Sequence, residues 1–497
     1  MQLLGIDIGS SSVKVAVIEG ETGQCIASAQ HPLVEMEIEA PLAGWAEQQP
    51  IKWYEHLKEA MKLVLASDKI SAKKIGAIGI SYQMHGLVVV DENNNPLRPS
   101  IIWCDSRATQ LGSKAQTDLG SDWCLSHLLN SPGNFTASKL AWVKQNEPEV
   151  YAKTVKFMLP GDYIAMKLTG EITTTVSGLS EGILWDFKDN KLSDELLNYY
   201  QLSSSKVAEI VPTFGDQGKL TAQAASELGL AQGIPVTYRA GDQPNNAFSL
   251  NVLNPGEVAA TAGTSGVVYA ISNKVTTDSL SRVNSFAHVN HQIDQPRLGV
   301  LLCINGTGIQ YSWMKREIGK NQLGYAELNE KAAMVAPGSD GLLVYPFGNG
   351  AERVLGNKNP GSNITGINFN IHHEGHLFRA AQEGIAFSFK YGMEVMNEMG
   401  IDTKLIRAGS ANLFLSPLFR KTLASITGAT IELYNTDGAI GAARGAGVGV
   451  GFYKNFEEAF VGFDRSNVTE PIEQLKTQLE DVYDAWKTGL TNMLNAK

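Results

Sequence analysis

An acid set inside an apolar strand is the first feature of this sequence that demands a chemical reason. Leu3-Leu4-Gly5-Ile6-Asp7-Ile8 is apolar except for Asp7, and a carboxylate buried bare in such a run is prohibitively costly, so it must be ion-paired or face a cation. Gly9-Ser10-Ser11-Ser12 follows at the strand end, where glycine permits a tight turn and hydroxyl and backbone N–H groups face an anion. Val13, Val15 and Val17 then alternate as a second strand. Strand, small-residue turn and strand together predict a phosphate hairpin. An ordinary β-hairpin with a paired aspartate is the alternative.

The same plan recurs half a chain later, in Val258 to Ile271, where Gly263-Thr264-Ser265-Gly266 separates two apolar strands. Two such hairpins predict two similar lobes closing on one nucleotide. Other apolar strands also end in polar residues. Ile75 to Ile80 leads to Ser81-Tyr82-Gln83-Met84-His85-Gly86, and Ile101-Ile102 to Trp103-Cys104-Asp105-Ser106-Arg107. Val236 to Ala240 ends at Gly241-Asp242-Gln243-Pro244-Asn245-Asn246, Leu298 to Ile304 at Asn305-Gly306-Thr307-Gly308, and Leu405 onward at Gly409-Ser410-Ala411-Asn412. Open α/β sheets place ligands at the carboxyl ends of their strands, so these are the candidate binding stretches.

Helices must support them. Pro50 opens one in which Trp53, Leu57, Met61 and Val64 share a face, read as core packing. Leu377 to Met396 is another, and its neighbours His372, His373 and His376 lack the spacing of a zinc protease. Gly438 to Gly447 is a helix of small residues that lets another backbone approach closely. Thr173 to Gly178 reads as an edge or linker, and the residues up to Lys497 as surface helices. The expected lobes are residues 1–250 and 251–497, meeting around 248–254.

A chain of 497 residues exceeds one hydrophobic core and allows two to four domains. Its 41 basic against 51 acidic residues, a net charge of −10, argue against nucleic acid or an anionic membrane as a standing partner. Met1-Gln2-Leu3 has no basic leader, no apolar run is long enough to span a membrane, and the four cysteines are unclustered, so a cytoplasmic address is expected. Neither Gly-x4-Gly-Lys-Ser/Thr nor Gly-x-Gly-x-x-Gly occurs, which removes P-loop NTPases and Rossmann dehydrogenases.

Paired hairpins with a strand-end acid, followed in order by Gln83-Met84-His85-Gly86, Trp103-Cys104-Asp105-Ser106-Arg107, Gly241-Asp242, Gly263-Thr264-Ser265-Gly266 and Gly409-Ser410-Ala411-Asn412, resemble the FGGY-type carbohydrate kinases over about the first 450 residues. Within that family the xylulokinase branch is most similar. The resemblance implies an α/β, two-lobed actin-like ATPase and sugar kinase (ribonuclease H-like) fold with the active site in the interlobe cleft. It implies ATP-dependent phosphorylation of D-xylulose to D-xylulose 5-phosphate, with ATP and Mg²⁺ as cofactors. By the same resemblance Asp242 is the general base and Asp7 the metal residue. Gln83, Met84, His85, Trp103, Asp105, Asp242 and Asn245 contact sugar. Gly9, Ser10, Ser11, Lys14, Gly263, Thr264, Gly306, Gln310, Gly409 and Asn412 hold the nucleotide.

The chain departs from the family where Gln243-Pro244 intervene before Asn245, where Ala351 interrupts a Gly-Glu-Arg stretch, and where Gly409 is single. Gluconate, L-ribulose and glycerol are the alternative acceptors; a silent sugar sensor or an actin-like ATP switch is the remote alternative. The sugar and ATP are the expected partners, and a homodimer is left open.

Overall fold

The computed structural model describes residues 1–496, which form two compact units. The first comprises Met1–Asn251, Phe286–Arg297 and Thr436–Phe463, and the second Val252–Ser285, Leu298–Asn435 and Asp464–Lys497. Each unit is built on one twisted sheet, and the two sheets share a plan.

In the first unit, β1 (Gln2–Ile8), β2 (Val13–Glu19), β3 (Cys25–His31), β4 (Ile75–Tyr82) and β5 (Val236–Gly241) lie in the order β5-β4-β1-β2-β3. β1, β2 and β3 are antiparallel neighbours, whereas β4 runs parallel to β1 and β5 parallel to β4. In register, Tyr82 lies beside Ile8 on one side and Gly241 on the other. Three parallel strands therefore end in one row, and the residues that leave the sheet next are Gly9, Gln83 and Asp242. This is how the sequence brings distant motifs to one sheet edge.

The helix Gly438–Gly449 covers one face of this sheet. Gly5 and Gly79 are cross-strand partners beneath it, and a Cβ added to either would stand 1.8 Å from the Ala439 carbonyl oxygen or 2.0 Å from that of Ala442. The small residues expected to permit close backbone approach thus meet glycines on the sheet. On the other face the helix Pro50–Leu65 buries Trp53, Leu57, Met61 and Val64 as its spacing predicts.

The second unit holds β6 (Glu257–Ala262), β7 (Gly266–Ser272), β8 (Asn284–Ala287), β9 (Leu298–Ile304), β10 (Leu405–Gly409), β11 (Thr430–Tyr434) and β12 (Arg465–Thr469), in the order β8-β9-β7-β6-β10-β11-β12. β6, β7 and β9 are antiparallel, and β10 and β11 run parallel to β6. The series β11-β10-β6-β7-β9 repeats β5-β4-β1-β2-β3 of the first unit, so the duplicated hairpin marks a duplicated sheet.

Two expected elements differ. Residues 173–178 are an edge only at their start: Thr173–Thr174 pairs with Glu209–Ile210 in a two-stranded sheet, and Val176–Glu181 is a buried helix capped by Thr175, whose side chain accepts the Gly178 N–H. Nor is the tail wholly superficial. Arg465–Thr469 extends the sheet, and the helix Glu473–Asn495 buries Leu479, Tyr483, Trp486 and Leu490, with the Trp486 indole donating to the Val344 carbonyl at 2.9 Å. Its four buried positions follow a helical stripe diluted by charged residues. Among the described residues no helix is long and apolar enough to cross a membrane.

Candidate active site

Asp7 is the penultimate residue of β1, beside Ser81 of β4 and Lys14 of β2. Burial raises its pKa; the Ser81 hydroxyl and Lys14 work against this, and the Asp437 carboxylate adds to it. Asp437 caps the helix Gly438–Gly449, accepting the Ile440 N–H at 2.9 Å. A Cβ on Gly438 would fall 2.4 Å from Asp7 Oδ2, so the acid lies against that helix's first residue.

Asp242 opens the helix Asp242–Ser249 directly after β5. Burial, followed by the charge of Asp7, pushes its pKa up to about 7, against hydrogen bonds from Gln243. The pattern of an apolar strand followed by Gly-Asp locates Asp242, but no comparable signal singled out Asp437. An Asp-Gly step opening a small-residue helix is an N-cap signature that would have found it.

The turn after β1 is closed by the Gly9 N–H donating to the Ser12 carbonyl at 3.0 Å. The Ser10 carbonyl accepts from Gln48 Nε2 at 2.7 Å, and Gln48 Oε1 in turn accepts from Gln83 Nε2 at 3.2 Å. The indole of Trp103, 53% exposed, reaches Ser10 Oγ at 3.4 Å. Gln83, Trp103 and the serine turn are therefore one assembly, and Gln48, which the sequence did not single out, is its junction.

Met84 is buried against Gly241, where a Cβ would meet its Cγ at 2.6 Å. His85 follows in the left-handed region at φ 61°. Its N–H donates to Glu181 Oε2 at 3.0 Å, its Nδ1 lies 2.9 Å from the Glu181 carbonyl, and its ring packs edge-on to Phe135 at 4.7 Å. A carbonyl only accepts, so Nδ1 carries a proton, and Glu181 Oε2 also lies 3.5 Å from it.

Two residues expected at the sugar are placed otherwise. Asp105 is 0% exposed, and its oxygens accept from Ala46 N–H at 2.6 Å and from Arg107, whose Nη2 lies at 2.7 Å; it anchors the stretch before Pro50. Asn245 is also 0% exposed, accepting from the Tyr238 hydroxyl at 3.1 Å and donating to the Gly438 carbonyl at 2.9 Å. Each has its polar atoms committed inside the protein.

In the second unit Gly263 and Thr264 sit at the end of β6, stapled to the helix Gly308–Trp313 by Gly308 N–H to Gly263 carbonyl at 2.9 Å and Ile309 N–H to Thr264 carbonyl at 3.1 Å. With Asn412, Leu415, Tyr311 and Tyr325 they line a cavity of about 630 Å³, a size usual for small-molecule and cofactor sites. Tyr311 stacks on Tyr325 with centroids 6.0 Å apart, and its hydroxyl is held by Asn329 and Gln382. Gly409 leads from β10 to Asn412, whose amide lies near Gly263. Both amide atoms of the buried Gln310 lack a protein partner.

Gly306 serves packing: its Cβ would fall 1.4 Å from the Pro346 carbonyl oxygen. Glu352, beyond the inserted Ala351, accepts the Asn305 N–H at 2.9 Å and so fixes this turn. The three histidines serve local structure. His373 accepts the Gly375 N–H at the start of the helix Glu374–Glu398, and His376 lies 3.0 Å from Asp340.

Known proteins share this architecture along its whole length. The xylulose kinase of Bacillus subtilis (strain 168) is 28% identical over 501 residues, covering 99% of this chain and 97% of that protein. The crystal structure of xylulose kinase from Rhodospirillum rubrum superposes with a TM-score of 0.88 at 23% identity, covering 99% of each chain. That of gluconate kinase from Lactobacillus acidophilus superposes with a TM-score of 0.89 at 20% identity, covering 99% of this chain and 98% of the other. Residues 2–249 match the N-terminal domain, and residues 258–450 the C-terminal domain, of the FGGY family of carbohydrate kinases. With both domains matched in order, and a sheet-and-hairpin plan to hold them, this chain belongs to the FGGY family and is a carbohydrate kinase.

Proposed function

We propose that this kinase transfers the γ-phosphoryl group of ATP to the terminal hydroxyl of D-xylulose, giving D-xylulose 5-phosphate in the cytoplasm. The observation that carries this reading is the row Ile8, Tyr82, Gly241, from which Gly9, Gln83 and Asp242 emerge together. It brings to one strand edge a turn of glycine and serines, polar side chains able to bond hydroxyls, and a carboxylate. Full-length similarity to xylulose kinases supports the choice of sugar.

In this mechanism residues 1–250 bind the acceptor. Gln83 and His85 bond its hydroxyls, Met84 supplies an apolar wall, and Trp103 borders the site. Asp242 accepts the proton of the attacking hydroxyl, and its burial, the largest cause raising its pKa, makes it a stronger base than an exposed aspartate. Residues 251–497 bind ATP: Gly263 and Thr264 face phosphates, and Gln310, Gly409 and Asn412 line the nucleotide beside Tyr311. Phosphoryl transfer depends on alignment and charge neutralisation more than on covalent help. Gly9, Ser10, Ser11 and Lys14 contribute N–H, hydroxyl and ammonium groups toward the transferred phosphate.

The donors around Asp7 fit Mg²⁺. Asp7 lies close enough to Asp437 and Asp242 for their charges to be felt, and an all-carboxylate set suits a hard cation. Asp7 would hold the ion, with Asp437 beside it. Bound there, Mg²⁺ neutralises charge on the phosphates.

The test is a coupled ADP-release assay over D-xylulose, L-ribulose, gluconate and glycerol. D-Xylulose should give the highest kcat/KM. A higher value for gluconate or glycerol overturns the acceptor assignment and leaves the kinase.

A further inference from the structure

His85 is a non-glycine residue in the left-handed region, a conformation that persists only when its surroundings over-determine it. Both sides of its backbone are gripped by buried ionisable side chains. On the N–H side is Glu181, 2% exposed at the end of the helix Val176–Glu181, with Oε2 at 3.0 Å. On the carbonyl side is Lys139, 0% exposed on the helix Thr136–Asn146, whose Nζ donates at 2.8 Å to His85 O and at 2.9 Å to Ile102 O. Glu181 makes a third contact through its own carbonyl, 2.9 Å from His85 Nδ1.

Neither side chain's hydrogen bonds lie within its own helix: they run to His85 and, for Lys139, to Ile102 as well. Glu181 faces the Tyr82 hydroxyl, and its Oε1 lies where a Cβ on Gly241 would be 3.1 Å away. Burial raises the Glu181 pKa well above the usual carboxylate range, with Asp242 and Asp162 adding to the shift and Tyr82 and the His85 N–H opposing it. Burial likewise lowers that of Lys139 to about 7, against the pull of Asp105. Two buried groups are thus kept at electrostatic cost, and what they hold in common is His85.

We infer that Glu181 and Lys139 are positioning residues that clamp His85 in its left-handed conformation and thereby set acceptor recognition. The inference rests on the reading of His85 as an acceptor contact. Glu181 Oε2 fixes the N–H, the Glu181 carbonyl fixes the ring tautomer, and Lys139 fixes the peptide that follows. Because Glu181 also abuts Gly241, the same side chain ties the histidine to the strand end that carries Asp242. A site built this way loses affinity for its acceptor when the clamp opens, while the nucleotide pocket, built from the other unit's residues, is unaffected.

The test compares two variants of nearly equal volume. Glu181→Gln keeps an oxygen for the His85 N–H; Glu181→Met does not. For whichever sugar of the panel the wild type phosphorylates best, Glu181→Met should raise the acceptor KM about 10-fold or more, leaving a buried donor unpaired. Glu181→Gln should stay within about 3-fold of wild type, and the ATP KM should move less than about 2-fold in both. Lys139→Met should share the Glu181→Met pattern. Equal acceptor KM values for the two Glu181 variants, or an ATP KM that rises in step with the acceptor KM, would overturn the clamp. Since the sugar is chosen by assay, preference for a different acceptor corrects the assignment to D-xylulose without touching the clamp. Should Glu181→Met melt far below wild type, the comparison moves to Lys139→Arg, which keeps the donor, and Lys139→Met. A raised acceptor KM in Lys139→Met alone then supports the clamp, and equal values in the two overturn it.

Discussion

Asp7 and Asp242 repel one another: after burial, the charge of Asp7 is the largest cause lifting Asp242 to about 7. They come from β1 and from the first residue of the helix after β5, with β4 between the two strands. A fold that holds two acids this close without a cation stores unfavourable charge, and removing that charge has consequences for activity and stability alike.

As the base, Asp242 should be replaceable in shape but not in function. General-base assistance is worth ~10² to 10⁴-fold, and the carboxylate also orients the hydroxyl, so Asp242→Asn should lower kcat by at least ~10³-fold. The amide still bonds a hydroxyl, so the acceptor KM should change far less. Near-normal kcat in the folded variant would remove Asp242 as the base.

The same substitution should stabilise the metal-free protein above neutrality. Asp242 has a folded pKa of about 7 against an ordinary aspartate value of 3.8, so between these values the folded state binds the extra proton. Stability from this group is present below about pH 4 and lost as pH rises through about 7. Asp242→Asn should therefore melt higher than wild type at about pH 8 and show little difference at about pH 4. Melting curves in EDTA at the two pH values decide it, and an equal gap at both would mean that the carboxyl titrates normally.

For Asp7 the expected signature is in magnesium. Asp7→Asn should raise the Mg²⁺ concentration for half-maximal rate by at least ~10-fold with little change in acceptor KM, the loss of one charged ligand outweighing that of a neutral one. Mg²⁺ should also raise the wild-type melting temperature more at about pH 8 than at about pH 5, because protons compete for the carboxylates. An unchanged magnesium requirement would make Asp7 structural.

Packing of the helix Gly438–Gly449 predicts a stability effect remote from catalysis. Gly79→Ala places a methyl group 2.0 Å from the Ala442 carbonyl oxygen, a clash with backbone that no rotamer relieves. It should cost at least about 2 kcal/mol in urea unfolding. A loss under ~0.5 kcal/mol would show that the helix shifts freely.

Gln83 and His85 should govern acceptor choice. On the proposed reading His85→Ala removes a ring that bonds the acceptor's hydroxyls, and a site built to bond hydroxyls discriminates strongly against analogues that lack them. The ratio of kcat/KM for D-xylulose over glycerol should fall by about 10-fold or more. A ratio that stays constant while both activities drop would assign His85 to architecture.

The residues that announce this protein's chemistry are legible one strand at a time. An acid in an apolar run, glycine-serine turns, and Gly-Asp after a buried strand are local patterns, because period-2 burial and turn chemistry are written in neighbouring residues. They lead to Asp7, to the two hairpins, to Asp242 and, with the resemblance, to the family. The helix Pro50–Leu65 is legible for the same reason, its buried face repeating every third or fourth residue.

What only the tertiary structure decided depends on pairs far apart in sequence. That Asp105 and Asn245 are committed inside the protein follows in part from Ala46, 59 residues from Asp105, and Gly438, 193 residues from Asn245, neither of which a local pattern ties to them. Thr436–Phe463 returns to the first unit, where Gly5 and Gly79 leave the backbone of a small-residue helix room. Glu181 follows Thr173-Thr174-Thr175-Val176, a stretch that reads as extended chain; its burial against His85 is settled by a partner 96 residues away. Hydrophobic periodicity records which face of an element is buried, whereas the identity of what lies against that face is set by strand order and register, and these are properties of the whole chain.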